Sequence, residues 1–263
     1  MRDDLIYVYC LANIPPKQNH ETEKYSLEFV KIGDFYVIVK HVSKDEFDEE
    51  NLKKNVSDIQ WLEINARQHI NVINSFMAFL TVVPFKFGTI FQSEESLKKF
   101  INDYSDSLDQ NFRFIEAKEE WTVKVYCNRK HLCDRIDDLS AEAASLEQQI
   151  MASSPGKAFI LKRKKNDLIE YEMDRLCKKI GQEFYDTYQN LSEATNLNNL
   201  LPKEFTGRED SMILNATFLI KKDKVSEFTK TTEIFQNMNS YSGFFIEMTG
   251  PWPPFSFIHI KEK

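Results

Sequence analysis

The chain has 263 residues, 42% of them hydrophobic and 29% charged, enough for one large or two modest globular cores. A formal net charge of −7 argues against nucleic acid or an anionic membrane as the main partner, and only 7 glycines argue against a nucleotide fold built on glycine-rich turns. No apolar run is long enough for a membrane span, and "MRDDLIYVYCLANIPP" lacks the basic-then-apolar layout of a signal peptide, so a soluble, cytoplasmic protein is expected.

The first predicted element is "LIYVYCLA", residues 5–12, a β-branched and aromatic run of strand length. A polar stretch with Pro15 and Pro16 follows, and then "FVKIGDFYVIVKHV" sets Gly33 and Asp34 between two strand-like runs, the signal of a tight hairpin. Ser57 and Gln60 have the spacing of a capping box for a long helix. In that helix Leu62, Ala66, His69, Ile73, Phe76 and Leu80 share one face. "TVVPFKFGTIF" reads as extended chain, because Pro84 and Gly88 do not suit a helix interior. Ser93 opens a further helix with Leu97, Ile101, Tyr104 and Leu108 in register. Strand, hairpin, helix, strand, helix is an order that suits an α+β sandwich of ferredoxin-like type.

Periodicity breaks between Phe112 and Glu119, which predicts two domains, residues 1–115 and 116–263. In "KEEWTVKVYCN" the residues Trp121, Val123, Val125 and Cys127 alternate with polar ones, as in a half-buried strand. Leu132, Ile136, Leu139, Ala143, Leu146 and Ile150 follow at heptad-like spacing. Ser154 and Pro155 make an N-cap and N1 pair for a helix running to about Leu191. Its seam is Ile169, Met173, Leu176, Ile180, Phe184 and Tyr188, and the short connection predicts an antiparallel helical hairpin. A polar loop over 196–210 leads to the strand "MILNATFLI", with Met212, Leu214, Ala216, Phe218 and Ile220 on one face. Asp223 is placed to cap a helix carrying Val225, Phe228, Thr232 and Phe235, and "GFFIEMT" is the last clear strand.

Motifs that carry chemistry are scarce. Cys10, Cys127, Cys133 and Cys177 form no CxxC pair, which speaks against a disulfide framework or zinc knuckle. "PGKAF" lacks the upstream glycine and following Ser or Thr of a phosphate-binding loop. The five histidines share no ligand spacing, and His69, on an apolar helix face, reads as a buried imidazole bonded to backbone. Glu119 and Glu120 read as solvated, Tyr7 and Tyr9 as core, and "KRKK" at 162–165 as an exposed basic face with an acidic partner as the minority view. No catalytic, cofactor or metal site is assigned.

Four blocks in order, "VVPFKFGTIF", "EWTVKV", "SPGKAF" and "MILNATFLI" followed by "GPWPPFSF", resemble the GvpF/GvpL family of gas vesicle proteins. The resemblance runs from the first strand to residue 258, with His69 in its expected helix, and no family pattern is seen over about 190–210. It implies a non-enzymatic minor vesicle component of two α+β domains, the first of modified ferredoxin-like type. It also implies association with the small shell protein GvpA and other vesicle proteins during assembly, and a place at the gas vesicle. On that basis Pro84, Phe85, Phe87, Gly88, Trp252, Pro253 and Phe255 are the candidate partner-contact residues. The alternative is an enzyme on a ferredoxin-like scaffold, using His69 or Glu120 in an inter-domain cleft.

The terminal block admits two readings. Pro251, Pro253 and Pro254 offer no N–H to a ladder, so the segment is expected not to pair along its length. Trp252 and Phe255 then either fold back over the second sheet and close its core, or one of them stays exposed as an anchor.

Overall fold

"LIYVYCLA" forms β1 (Asp4–Ala12), the strand about which the first sheet is built. The structure is a computed structural model and describes residues 4–260. Along one side β1 pairs antiparallel with β3 (Phe35–Ser43), and β3 pairs antiparallel with β2 (Glu28–Ile32) across the Gly33 turn, where φ is +58°. Along the other side β1 takes two short antiparallel strands, β4 (Val82–Pro84) and β5 (Ile90–Phe91). Strands β1 and β2 therefore run in the same direction with β3 between them, the split βαβ arrangement of ferredoxin-like sheets.

Helices cover both faces of this sheet. The short α1 (His20–Tyr25) lies between β1 and β2, and α2 (Lys44–Phe47), α3 (Glu49–Asn55) and α4 (Ile59–Met77) lie between β3 and β4. On one face Val72, Ile73 and Phe76 of α4 pack with Leu5, Tyr7, Ile38 and Val42. On the other, α5 (Glu94–Asp103) and α6 (Ser105–Ile115) bring Leu97, Ile101, Leu108 and Phe112 against Ile6, Val8, Val37 and Val39. A strand buried on both faces has no need of alternating polarity, which is why β1 reads as one apolar run. A register shift between Val8 and Cys10 places Tyr9 and Cys10 in the same layer, the mark of a β-bulge.

Two local expectations are corrected here. The N-cap of α4 is Asp58, whose carboxylate accepts from the N–H groups of Gln60 and Trp61 at 2.9 and 3.3 Å, and not Ser57. Ser57 is engaged in closing α3, its N–H donating to Lys54 O and its hydroxyl to Lys53 O. The helix opened by Ser93 also divides, Tyr104 standing between α5 and α6 with φ −105° and ψ 11°.

The second sheet has the order β7-β8-β6-β9, from β6 (Lys118–Cys127), β7 (Ala194–Leu197), β8 (Ser211–Lys221) and β9 (Phe244–Trp252). The heptad-like run after β6 is three pieces, α7 (Arg129–Asp134), α8 (Ile136–Leu139) and α9 (Ala141–Met151). The break falls where the Ser140 hydroxyl accepts from Ala143 N–H and starts a new helix. The expected long helix is α10 (Pro155–Asn190), with Pro155 at N1 and the seam residues Met173, Phe184 and Tyr188 buried. Lys165 of α10 bonds Glu147 of α9 at 2.9 Å, tying the hairpin. Strand β7 and the short α11 (Lys203–Thr206) occupy the stretch read as a polar loop.

Helix α10 lies close on β8 because residue 181 is glycine: a Cβ there would stand 3.1 Å from Ile213 O. Phe184 and Tyr188 then enter a cluster with Phe218 and Phe228, the last from α12 (Val225–Asn239). The Tyr188 hydroxyl is kept satisfied by donating to Thr232 Oγ1 at 2.7 Å. Asp223 does not cap α12, since it sits within a 3-10 turn over Lys222–Lys224 that precedes the helix.

Chain contacts divide the molecule into two compact units, residues up to Glu120 together with Pro251 onward, and Trp121–Gly250. The terminal segment, expected to close the second sheet, belongs to the first unit. Strand β9 also continues through Gly250 and Pro251 to Trp252 before Pro253 and Pro254 end it. Strand β9 is an edge strand, where a proline lacking its N–H costs no ladder bond on the outer side.

Candidate functional site

The singled-out block "PFKFG" is fastened to β1 at both ends. Phe85 N–H donates to Tyr9 O and Val8 N–H donates to Thr89 O, each at 3.0 Å. The turn between them needs Gly88, whose φ of +79° is strained for a residue with a Cβ, although a Cβ there would meet only Leu52 Cδ2, at an ordinary contact distance of 3.5 Å.

Beneath the block lies His69, 1% exposed. Its Nε2 is 2.9 Å from Phe85 O and its Nδ1 is 2.9 Å from the Tyr7 hydroxyl. A carbonyl oxygen only accepts, so Nε2 carries the proton and Nδ1 accepts from Tyr7 O–H. Tyr7 Oη in turn accepts from Gly88 N–H at 3.2 Å. Burial pushes the imidazole pKa down to about 4, against the opposing bond to Phe85 O, and keeps the ring neutral. The ring stacks with Tyr9 at 5.5 Å and with Phe255 at 6.3 Å, and meets Phe87 edge-on at 5.8 Å. Each ring nitrogen is occupied within this chain of bonds, which joins β1, α4 and the "PFKFG" turn. The reading of His69 as a buried histidine bonded to backbone holds.

Phe255 arrives from the terminal segment, which two buried polar side chains pin in place. Asn111 accepts from His259 N–H through Oδ1 and donates to His259 O through Nδ2, both at 3.0 Å. Glu120 accepts from Ser256 N–H at 2.9 Å and from the Ser256 hydroxyl at 2.8 Å. Glu120 was expected to be solvated and is 5% exposed, because residue 120 points inward from β6 beneath that segment. Its burial raises the carboxyl pKa to about 7, while the two bonds from Ser256 pull the other way. Both carboxyl oxygens are taken up by Ser256, so the group acts as a latch on the segment.

Between the pinned segment and the "PFKFG" block runs an open groove of about 560 Å³. Pro84, Phe85 and Phe255 line it, three of the seven candidate contact residues. Phe91, Phe100, Ile258 and Ile260 complete the apolar wall, and Lys86 and His259 add polar groups. Phe87 and Gly88 turn to the His69 cluster instead. Pro253 is buried, and Trp252, expected in a core, is 40% exposed. Phe100 lies three residues after Leu97 and four before Tyr104, at the edge of the same apolar face, and that spacing is the sequence signal that could have found it; Ile258 and Ile260 carried only their alternation with His259.

The profile of the family described as "Gas vesicle synthesis protein GvpL/GvpF" matches residues 5–259. The chain belongs to the GvpL/GvpF family. Gas vesicle protein L of Streptomyces sp. (strain CB03234) is 23% identical over 99% of this chain and 95% of its own length. Gas vesicle protein F of the same organism is 23% identical over 72% of this chain and 75% of its own length. In fold the chain is similar to the crystal structure of GvpF from Anabaena sp. PCC7120, with a TM-score of 0.70 over 98% of this chain and 100% of that one at 18% identity. GvpF from Microcystis aeruginosa gives a TM-score of 0.66 over 98% of this chain and 99% of its own. A gas vesicle role follows from membership of the family. Among the described residues no helix is long and apolar enough to cross a membrane, and no three His, Cys, Asp or Glu side chains cluster as metal ligands.

Proposed function

We propose that this GvpL/GvpF member is a non-enzymatic assembly factor in the cytoplasm that binds the small hydrophobic shell protein GvpA and keeps it from aggregating until it enters the vesicle. The observation that carries the reading is the groove, in which Pro84 and Phe85 from one family block and Phe255 from the other meet in one apolar wall. Subunits that self-assemble through apolar surface need a concave, apolar and persistent surface to hold them apart, and a pocket built on pinned segments supplies that without an ordering cost. The alternative of a catalyst using His69 or Glu120 has less support, since the polar atoms of both side chains are engaged within the protein.

The test is co-expression of GvpA with the wild-type chain, with Thr89→Trp, and with Lys230→Trp as a surface control. Thr89 lies in the groove wall with its side chain bonded to Lys86 O, so an indole there fills the groove while the backbone bond to Val8 is kept. Wild type and Lys230→Trp should raise soluble GvpA and recover it in pull-down, and Thr89→Trp should do neither at an unchanged melting temperature. Equal solubilisation by Thr89→Trp would remove the groove from the proposal, and no gain with the wild type would remove the holding role.

A further inference from the structure

The tip of the α9–α10 hairpin breaks two rules of soluble helices together. Met151 at the end of α9 and Phe159 and Ile160 in α10 are 77%, 75% and 68% exposed, grouped at the turn of the hairpin, whereas Leu146, Ile150, Met173 and Phe184 of the same helices are buried. Residues 148–166 also contain five cations and no acid, in a chain of formal net charge −7, which leaves −12 on the remainder. The first turn of α10 holds Lys157 and no Asp or Glu, although the positive end of the helix dipole favours anions there. Lys162, Arg163 and Lys164 are exposed, and among the described residues none of them makes an ion pair. Their neighbour Lys165 shows how this fold neutralises a cation it keeps for itself, with Asp137 at 2.8 Å and Glu147 at 2.9 Å.

Local rules broken without a compensating contact mark sites kept for a partner. We propose that this tip is a docking surface for an acidic, amphipathic helix of another protein. The exposed apolar side chains anchor its apolar face, and Lys157, Lys162, Arg163 and Lys164 pair with its carboxylates. Charge decides the class of occupant. An anionic lipid surface would meet five cations, one of them already paired with Asp137 and Glu147, but repel the −12 of the remaining chain. An interfacial helix also needs a sustained apolar stripe, whereas the outer face of α10 beyond Ile160 continues with exposed Asp167, Glu170, Asp174 and Arg175. The surface is remote in sequence from the groove and does not depend on the function proposed for it.

The experiment uses the full chain and a synthetic peptide of about 18 residues, Leu and Glu at helical spacing, with a scrambled peptide of the same composition and phosphatidylserine–phosphatidylcholine vesicles alongside. Two variants, F159S/I160S and K162E/R163E/K164E, change only exposed side chains and should keep the wild-type circular dichroism and melting temperature. The helical peptide should bind wild type in a salt-sensitive manner, and each variant should weaken it by about tenfold or more. Equal binding of the scrambled peptide, retention by either variant, binding of vesicles in place of the peptide, or no binding at all would each overturn the proposal.

Discussion

Glu120→Gln separates a structural latch from an incidental acid. The carboxyl titrates near 7 in the folded protein against 4.5 for the free side chain, a difference caused first by burial. A folded pKa raised in this way means that the folded state holds the proton longer than the unfolded one. Stability is therefore full below about pH 4.5 and falls as the pH rises through the folded pKa near 7. Each unit of difference corresponds to about 1.4 kcal/mol, so the loss reaches about 3 kcal/mol above neutrality. Protonated Glu and Gln offer Ser256 the same set, one oxygen to accept from its N–H and one donor to its hydroxyl oxygen. The variant should thus match wild type near pH 4 and be more stable by about 3 kcal/mol at pH 8, or about 6–12 °C in melting temperature. Urea unfolding at intervals between pH 4 and 8 reads the divergence directly. Parallel curves for the two proteins across that range would show that burial of this carboxyl carries no cost, and the latch argument would fail with it.

Tyr7→Phe strands His69 Nδ1 and Gly88 N–H in the interior, and should cost about 1–3 kcal/mol in denaturant unfolding. Trp252→Ala should lower the melting temperature less than Phe255→Ala does, because the indole is 40% exposed. Phe255→Ala removes a ring packed on His69 and should cost about 2–4 kcal/mol, with its half-buried position holding it toward the lower part of the range for core phenylalanines. Residues 121–250, contiguous in sequence, should fold when expressed alone, whereas residues 1–115 should need 251–260 joined to them, as judged by cooperative thermal melts. A cooperative 1–115 fragment would show that the terminal segment is dispensable for the first core.

Local order was legible wherever one physical cause acts within a few residues. The Gly33 hairpin, the buried face of α4, the seam of α10 and its Pro155 start were all predictable, because periodicity and capping chemistry are short-range. Where two local solutions competed, sequence reasoning chose wrongly. Asp58 took the N-cap that Ser57 could also have filled, and Ser140 interrupted a heptad pattern that would equally suit one helix.

By itself the sequence determined the family, the two α+β halves and the course of α10, since these follow from motif order and from the spacing of apolar residues. Only the tertiary structure decided where the last ten described residues go. Bonds between Glu120 and Ser256 and between Asn111 and His259 span 136 and 148 positions, and no periodicity encodes a partner so far along the chain. Those bonds buried an acid that read as solvated, moved Phe255 from the second core to the first, and set Pro84 and Phe85 opposite it across a groove. The physical reason is that the contacts forming the groove are made by side chains whose local environment is unremarkable until the two segments are brought together.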